Sequence, residues 1–364
     1  DDPSLSLIAT FSIFAAGFIM RPLGGILFGY IGDNFGRKCS LILSILLMAI
    51  PTSMIGILPT YEKIGILAPI FLTIIRLLQG LALGGGFSGC IAFTIEHAPN
   101  NKRGLAGSAS VFSMCAGILI GLAVATLFSK VLSTEDYESW GWRIPFIISL
   151  FIGLIGFYMK NLDESPQYLK AKKENLLSKS PLREILNNYK IELIIAISIY
   201  LTVTVPFYSL MIFMNSYMSK ILNQPMSDAL IMNSISIIVL MIILPYSSSL
   251  SDRIGRKPIL VFSSIAFIIL TYPIYRLLMI DGFIYPLIGQ VIFAIIISFY
   301  IAPVPAILVE LFPTNVRFIG IALSYNLSAA IFGGTTPAIA IWLIDNTNRK
   351  DAIAFYIIFF AIIS

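Results

Sequence analysis

Charge is scarce in this chain. Of its 364 residues only 12% are Asp, Glu, Lys or Arg, against roughly 25% in a soluble domain, which sets aside a soluble all-α protein. Histidine is nearly absent: His97 stands alone, so metal centres built on histidine clusters are excluded and no metal ligands are assigned. Cys39, Cys90 and Cys115 are odd in number and lack C-x-x-C spacing, so they read as free thiols and not as a disulfide framework. No lysine follows Gly80, Gly84, Gly85, Gly86 and Gly89 in a G-K-S/T context. Those glycines, like Gly117 and Gly121, read as close helix packing instead of a phosphate loop. No nucleophile–base pair and no cofactor motif is present, so no catalytic residue is assigned and an enzyme is not expected. The net charge of +5 sits in short loops, with no long basic face for nucleic acid. No cleavable signal peptide is visible.

Apolar residues are what the chain has in plenty, at 57%. They fall in eleven runs, about 6–31, 40–58, 66–95, 104–129, 143–160, 190–219, 229–250, 258–280, 283–309, 317–344 and 351–364. A hydrocarbon core about 30 Å thick asks for about 20 such residues per helix. The expected fold is therefore an all-α polytopic membrane protein with the lipid bilayer as its solvent. The last run is short for a span.

Two polar signatures each occur twice, offset by nearly the same number of residues. One is D-x-x-G-R-K, at Asp33, Gly36, Arg37 and Lys38 and again at Asp252, Gly255, Arg256 and Lys257. The other is E-x-x-P-x-x-x-R, at Glu96, Pro99 and Arg103 and again at Glu310, Pro313 and Arg317. Repeated polar motifs between apolar segments mark a transporter built from two similar halves. We expect an N-terminal helix bundle at 1–160, a linker at 161–189 and a C-terminal bundle at 190–364, related by a pseudo-twofold axis. Two helices precede the D-x-x-G-R-K loop in the second half and one in the first, so the first bundle is expected to be one helix short here, and the last segment clipped. A protein with eleven helices by design is the plainer reading.

Lys and Arg crowd alternate loops. Those at 32–40, 96–104, 160–190, 251–258 and 310–317 are the basic ones and read as cytoplasmic by the positive-inside rule. Lys63, Lys130, Arg143, Lys220, Arg276, Arg349 and Lys350 face the other side. Tyr137, Trp140 and Trp142 read as an aromatic belt. Leu169, Leu176, Leu177 and Leu182 alternate with basic residues in the 160–190 loop, which suits short amphipathic helices on the membrane surface.

These motifs, with Gly29 ahead of Asp33, resemble the major facilitator superfamily. Arg21-Pro22-Leu23-Gly24-Gly25, Arg76 with Gln79-Gly80, Trp140-Gly141-Trp142-Arg143-Ile144-Pro145-Phe146 and Glu310-Leu311-Phe312-Pro313-Thr314 are similar to its metabolite:proton symporter branch, which includes proline/betaine transporters. The resemblance implies proton-coupled symport of a small zwitterion or organic acid by alternating access, in the bacterial cytoplasmic (inner) membrane. It also implies that the family's first helix is absent and that Gly86 stands where the family usually has Glu. A transport-inactive remnant or sensor derived from such a transporter is the alternative.

Arg21 and Arg76 lie inside apolar segments, where a charge costs roughly 2.5–3.5 kcal/mol on insertion scales. No Asp or Glu falls at comparable depth. Either an anionic substrate group or Gln79 and water would satisfy them, or the arginines snorkel. Tyr208 and Asn326, with Pro206, Asn215 and Tyr325, are candidate cavity liners, each as readily explained by packing. Asp33 with Arg37, and Asp252 with Arg256, are expected to cap a neighbouring helix and pair, with Gly36 and Gly255 making the turns. With Lys38, Lys257, Glu96, Arg103, Glu310 and Arg317 they form a candidate cytoplasmic gate; topology signals and solvated loop charges are the simpler readings.

Overall fold

The computed structural model describes residues 3–363, with positions 3–16, 125, 129, 130, 134, 138, 152 and 157 described as backbone only. Asp1, Asp2 and the side chain of Lys130, which entered the charge reading above, lie outside the described residues. Among the described residues the regular structure is helical throughout, without a strand.

Nine helical stretches among the described residues are long and apolar enough to cross a membrane. They are Arg37–Ile57, Leu67–His97, Asn100–Phe128, Gly141–Asn161, Lys190–Ile221, Met226–Ile254, Arg256–Leu278, Ile284–Leu311 and Arg317–Thr347. Each coincides with one expected run. The first run lies in the helix Pro3–Asn34, and the last is the 12-residue helix Ala352–Ile363. Large apolar side chains such as Phe151, Ile242 and Ile269 point outward, at 66%, 68% and 61% exposure, which is the surface a bilayer solvates.

The chain divides into two compact units, and each draws a segment from the other half of the sequence. One comprises Asp1–His97, Gly117–Leu193 and Phe312–Leu327; the other comprises Ala98–Ala116, Ile194–Leu311 and Ser328–Ser364.

In the first unit Leu67–His97 packs against both Pro3–Asn34 and Arg37–Ile57, and Arg37–Ile57 packs in turn on Ile144–Tyr158. Glycine sets the closest of these contacts. A methyl on Gly80 would collide with the Gly17 carbonyl, and one on Gly84 with the Gly25 amide and Arg21 carbonyl, so the two backbones touch along this seam. This is the packing expected of the glycine run. Gly117 and Gly121 differ, since a methyl on either would meet nothing within 4 Å. The 160–190 loop does form short helices, Pro166–Lys173 and Pro181–Asn188, each opened by a proline behind a serine, the favoured first-turn arrangement.

In the second unit Met226–Ile254 and Arg256–Leu278 both pack on Ile284–Ile301. Small residues bring the helices close enough for hydroxyls to bond across: Ser247 Oγ donates to the Ser298 carbonyl and Ser298 Oγ to that of Leu240, both at 3.3 Å. Interhelical serine bonds of this kind are typical glue inside membranes. The Lys190–Ile221 stretch is interrupted by π turns at Ser209–Phe213 and Tyr217–Ile221, just beyond Pro206, and the Arg317–Thr347 stretch by one at Ala329–Gly333.

Candidate functional site

Both D-x-x-G-R-K turns are built alike. Gly36 and Gly255 stand at φ 113° and 101°, a region that side chains avoid, and each opens the helix that carries its arginine. The turn sets Arg37 four residues after Asp33, paired at 2.8 Å, and Arg256 four after Asp252, paired at 2.5 Å. Each aspartate also caps a helix distant in sequence. Asp33 accepts the amides of Phe318 and Ile319, both at 3.0 Å, and Asp252 those of Gly104 and Leu105 at 2.8 and 3.0 Å. Carboxylates placed so satisfy amides that have no partner within their own helix and face the positive end of its dipole.

The first network is closed and dry. Arg37 and Asp33 are fully buried, Glu96 is 3% exposed and Arg317 9%. All five Arg37 donors are used: by Gly32 O at 2.7 Å, Asp33 at 2.8 Å, Thr314 O at 2.7 Å and the two Glu96 oxygens at 3.3 Å. Glu96 also takes Arg317 Nη1 at 2.8 Å and the Ser165 hydroxyl. Two carboxylates thus face two guanidinium groups, and a neutral, saturated set of this kind is what makes buried charge tolerable. The Pro166–Lys173 helix covers it. Gln167 accepts from Arg317, the Arg37 guanidinium lies 5.3 Å from the Tyr168 ring centre, and Tyr168 donates its hydroxyl to Asn34 O at 2.8 Å. Burial raises the Tyr168 phenol above its ordinary value, so it stays a donor. Lys38 lies beside the set and is not part of it: its ammonium donates to the carbonyls of Lys160 and Leu162 at 2.6 and 2.8 Å.

The second network is smaller and wetter. Arg256 reaches Glu310 at 3.2 Å, with side-chain exposures of 18% and 35%. Arg103 occupies the repeat position of Arg317, but its buried Nε finds no hydrogen-bond partner among the described residues. Lys257 is exposed.

A third feature lies between Pro3–Asn34 and Leu67–His97: a cavity of about 90 Å³ lined by Arg21, Arg76 and Gln79 among apolar residues. Arg76 Nη1 donates to Gln79 Oε1 at 3.0 Å, and Gln79 Nε2 to Thr52 Oγ1 at 2.8 Å. Arg21, 4% exposed, bonds Asn326 Oδ1 at 3.4 Å and stacks on the rings of Tyr325 and Phe18 at 4.8 and 5.4 Å. Asn326 is held in turn by donating to Gly84 O and Ala322 O at 2.7 and 2.8 Å. Arg76 has no ion-pair partner among the described residues. Gln79 and Asn326 stand where a carboxylate would be expected. Tyr208 belongs to the second unit, with its ring against Gly333.

Ser165, Gln167, Tyr168 and Thr52 join these sites without any motif to announce them. The Ser165-Pro166 pair is a helix-start signal, and Ser165 does cap that helix through the Tyr168 amide at 3.2 Å, but nothing in it points to Glu96.

Residues 2–337 match the sequence profile of the Major Facilitator Superfamily. The glycine betaine/proline/ectoine/pipecolic acid transporter OusA of Dickeya dadantii (strain 3937) is 34% identical over all of this chain and 74% of its own length. The proline/betaine transporter of Escherichia coli (strain K12) is 33% identical over the same shares. Among solved structures, the proton:xylose symporter XylE bound to 6-bromo-6-deoxy-D-glucose superposes with a TM-score of 0.80, at 18% identity, over all of this chain and 85% of that one; at that identity the likeness speaks to fold alone.

Proposed function

The chain belongs to the Major Facilitator Superfamily and is a multi-pass membrane transporter; from that premise we propose that it takes up a small zwitterion or organic acid, proline- or betaine-like, together with protons. The observation that carries the solute class is the arginine cavity. The Arg76 guanidinium, inside an apolar helix and without an ion-pair partner among the described residues, with Arg21 lining the same cavity, suits a ligand that brings its own carboxylate. The Tyr325 and Phe18 faces beside Arg21 suit the apolar or cationic remainder of such a solute. The names of the two relatives point the same way. Proton coupling is the finer part of the reading and rests on the family resemblance.

The two charge networks are the proposed cytoplasmic gate of two bundles, 1–160 and 190–364, that rock about the solute site in the cytoplasmic membrane of a bacterium. Asp33→Asn then loosens the inner face, and cross-linking between cysteines placed on it falls; unchanged cross-linking would leave the motif as a topology signal.

The transport reading is tested in proteoliposomes with an inward proton gradient and labelled proline or glycine betaine. Uptake above the equilibrium level that an uncoupler collapses, and that Arg76→Gln abolishes, is the expected result. Equal uptake by the Arg21→Ala, Arg76→Ala double variant would remove the arginines from the solute site.

A further inference from the structure

We propose that the second unit binds internal water between Gln290 and Tyr275, beside the wide turn Ser209–Phe213, at a place apart from the arginine cavity and independent of the solute. The warrant is a set of buried polar atoms with nothing to bond. Gln290, Tyr275 and Thr271 are each fully buried. Neither amide atom of Gln290, nor the Tyr275 hydroxyl, nor Thr271 Oγ1 has a hydrogen-bond partner among the described residues. Thr271 precedes Tyr275 by one turn, on the same face of its helix. A buried amide left bare at both ends is costly, and the hydrocarbon around a spanning helix offers no bulk water to relieve it.

Helix register brings these groups to one level. A methyl on Gly289 would lie 3.3 Å from Ile274 O and 3.2 Å from Leu278 Cδ2, so that edge of Ile284–Ile301 faces Arg256–Leu278 at the height of Tyr275. Ser298, about two and a half turns on, bonds the Leu240 carbonyl of Met226–Ile254, which puts that helix on the opposite edge. Gln290 lies between the two edges, on the face that carries the buried Phe293, Ala294 and Ile297. That side meets Lys190–Ile221: Tyr300 donates to Ile199 O at 3.3 Å, and Ile284–Ile301 packs on the turn Ser209–Phe213. Asn233 closes the same level from Met226–Ile254 by donating to Leu210 O at 2.6 Å. The Tyr275 ring is held there by Phe293 and Tyr217, at 6.3 and 5.6 Å between ring centres.

The chemistry of the open groups selects water. Gln290 presents two N–H donors and a carbonyl, and the two hydroxyls both donate and accept. None of the three residues carries a charge to hold an ion. A buried water takes about three such bonds. The turn Ser209–Phe213 has already left α geometry, and water beside such a turn re-satisfies backbone groups as the helix bends. Two accounts compete: side chains packed dry, and a Gln290 amide turned to bond Tyr275 directly.

The test is X-ray radiolytic footprinting of the purified protein in detergent micelles, in which bound water converted to hydroxyl radical marks the side chain it touches. Wild type should be hydroxylated at Tyr275, although bulk solvent does not reach it. Tyr300 is as deeply buried, with its hydroxyl on the Ile199 carbonyl, and should be marked severalfold less. Gln290→Leu should lower the marking of Tyr275 severalfold. Tyr275 marked no more than Tyr300 in wild type overturns the site, and leaves dry packing or a direct Gln290–Tyr275 bond. Marking that Gln290→Leu does not lower overturns it as well. The wild-type comparison decides by itself if that variant does not fold. Tyr275→Phe removes one oxygen and no packing volume, and gives the second readout. Its thermal midpoint should fall by about 2 °C or more. An unchanged or higher midpoint would mean that the hydroxyl had no bond to lose, and would overturn the site.

Discussion

The two D-x-x-G-R-K turns have the same residues, the same glycine geometry and the same helix-capping aspartate, yet their surroundings differ. Around Asp33 and Arg37 the structure closes a neutral set of four charges under the helix Pro166–Lys173. Around Asp252 and Arg256 it leaves three charges, a carboxylate 35% exposed at Glu310 and an arginine, Arg103, outside the set. The difference teaches that a motif supplies a local pair, while its energetic weight comes from what covers it. A pair sealed from water is costly to break because the survivor is left buried and uncompensated. A pair that water reaches is screened and worth little.

That contrast is sharpest in the arginines. Arg37→Met would leave Asp33 and Glu96 buried with only Arg317 between them, and should destabilise by about 3–5 kcal/mol. Arg256→Met should cost about 1 kcal/mol or less, because water can take over at Glu310. Thermal unfolding of the two variants in one detergent compares them directly; equal losses would break the contrast.

The glycines come next. Both positive-φ turns are strained by a side chain, at about 1–2 kcal/mol each. Gly36→Ala additionally drives its methyl into the Glu164 carboxylate, whereas at Gly255 the nearest atom, on Pro258, is 3.6 Å away. Gly36→Ala should therefore lose more than Gly255→Ala in the same unfolding assay, and the excess should vanish in a Glu164→Ala background.

Much of this was legible in the sequence, for physical reasons that can be named. A helix that crosses hydrocarbon needs an unbroken apolar run, so the nine spans among the described residues coincide with runs visible beforehand. Asp33–Arg37 and Asp252–Arg256 were legible because four residues across a helix-opening turn leave few other geometries. The partners of Glu96 were not. It shares its motif with Arg103 but pairs with Arg37 and Arg317, and residue 317 reaches residue 96 only through tertiary packing. Ser165 and Gln167 were hidden for the same reason: a basic, leucine-dotted loop reads as a membrane-surface segment, and only the fold brings its first turn over Glu96. The cavity arginines were visible as misplaced charges, and Asn326 as a candidate cavity liner, while Thr52, which holds Gln79 beside Arg76, is an ordinary polar residue until the helices meet.

Ser165→Ala should cost about 1.5–3 kcal/mol, for the hydroxyl bond to the Glu96 carboxylate together with the cap on the Tyr168 amide. It probes the contribution of the Pro166–Lys173 helix, for which the second network shows no counterpart among the described residues. A neutral result by unfolding would mean that the Pro166–Lys173 helix covers the first network without strengthening it.

The unequal strength of the two networks is tested most directly in the unaltered protein, by hydrogen exchange at the amides that the two aspartates hold. Phe318 and Ile319 report on Asp33, and Gly104 and Leu105 on Asp252. Exchange follows the free energy of local opening, so the amides at 104 and 105 should exchange well before those at 318 and 319. Equal rates, or earlier exchange at 318 and 319, would contradict the account.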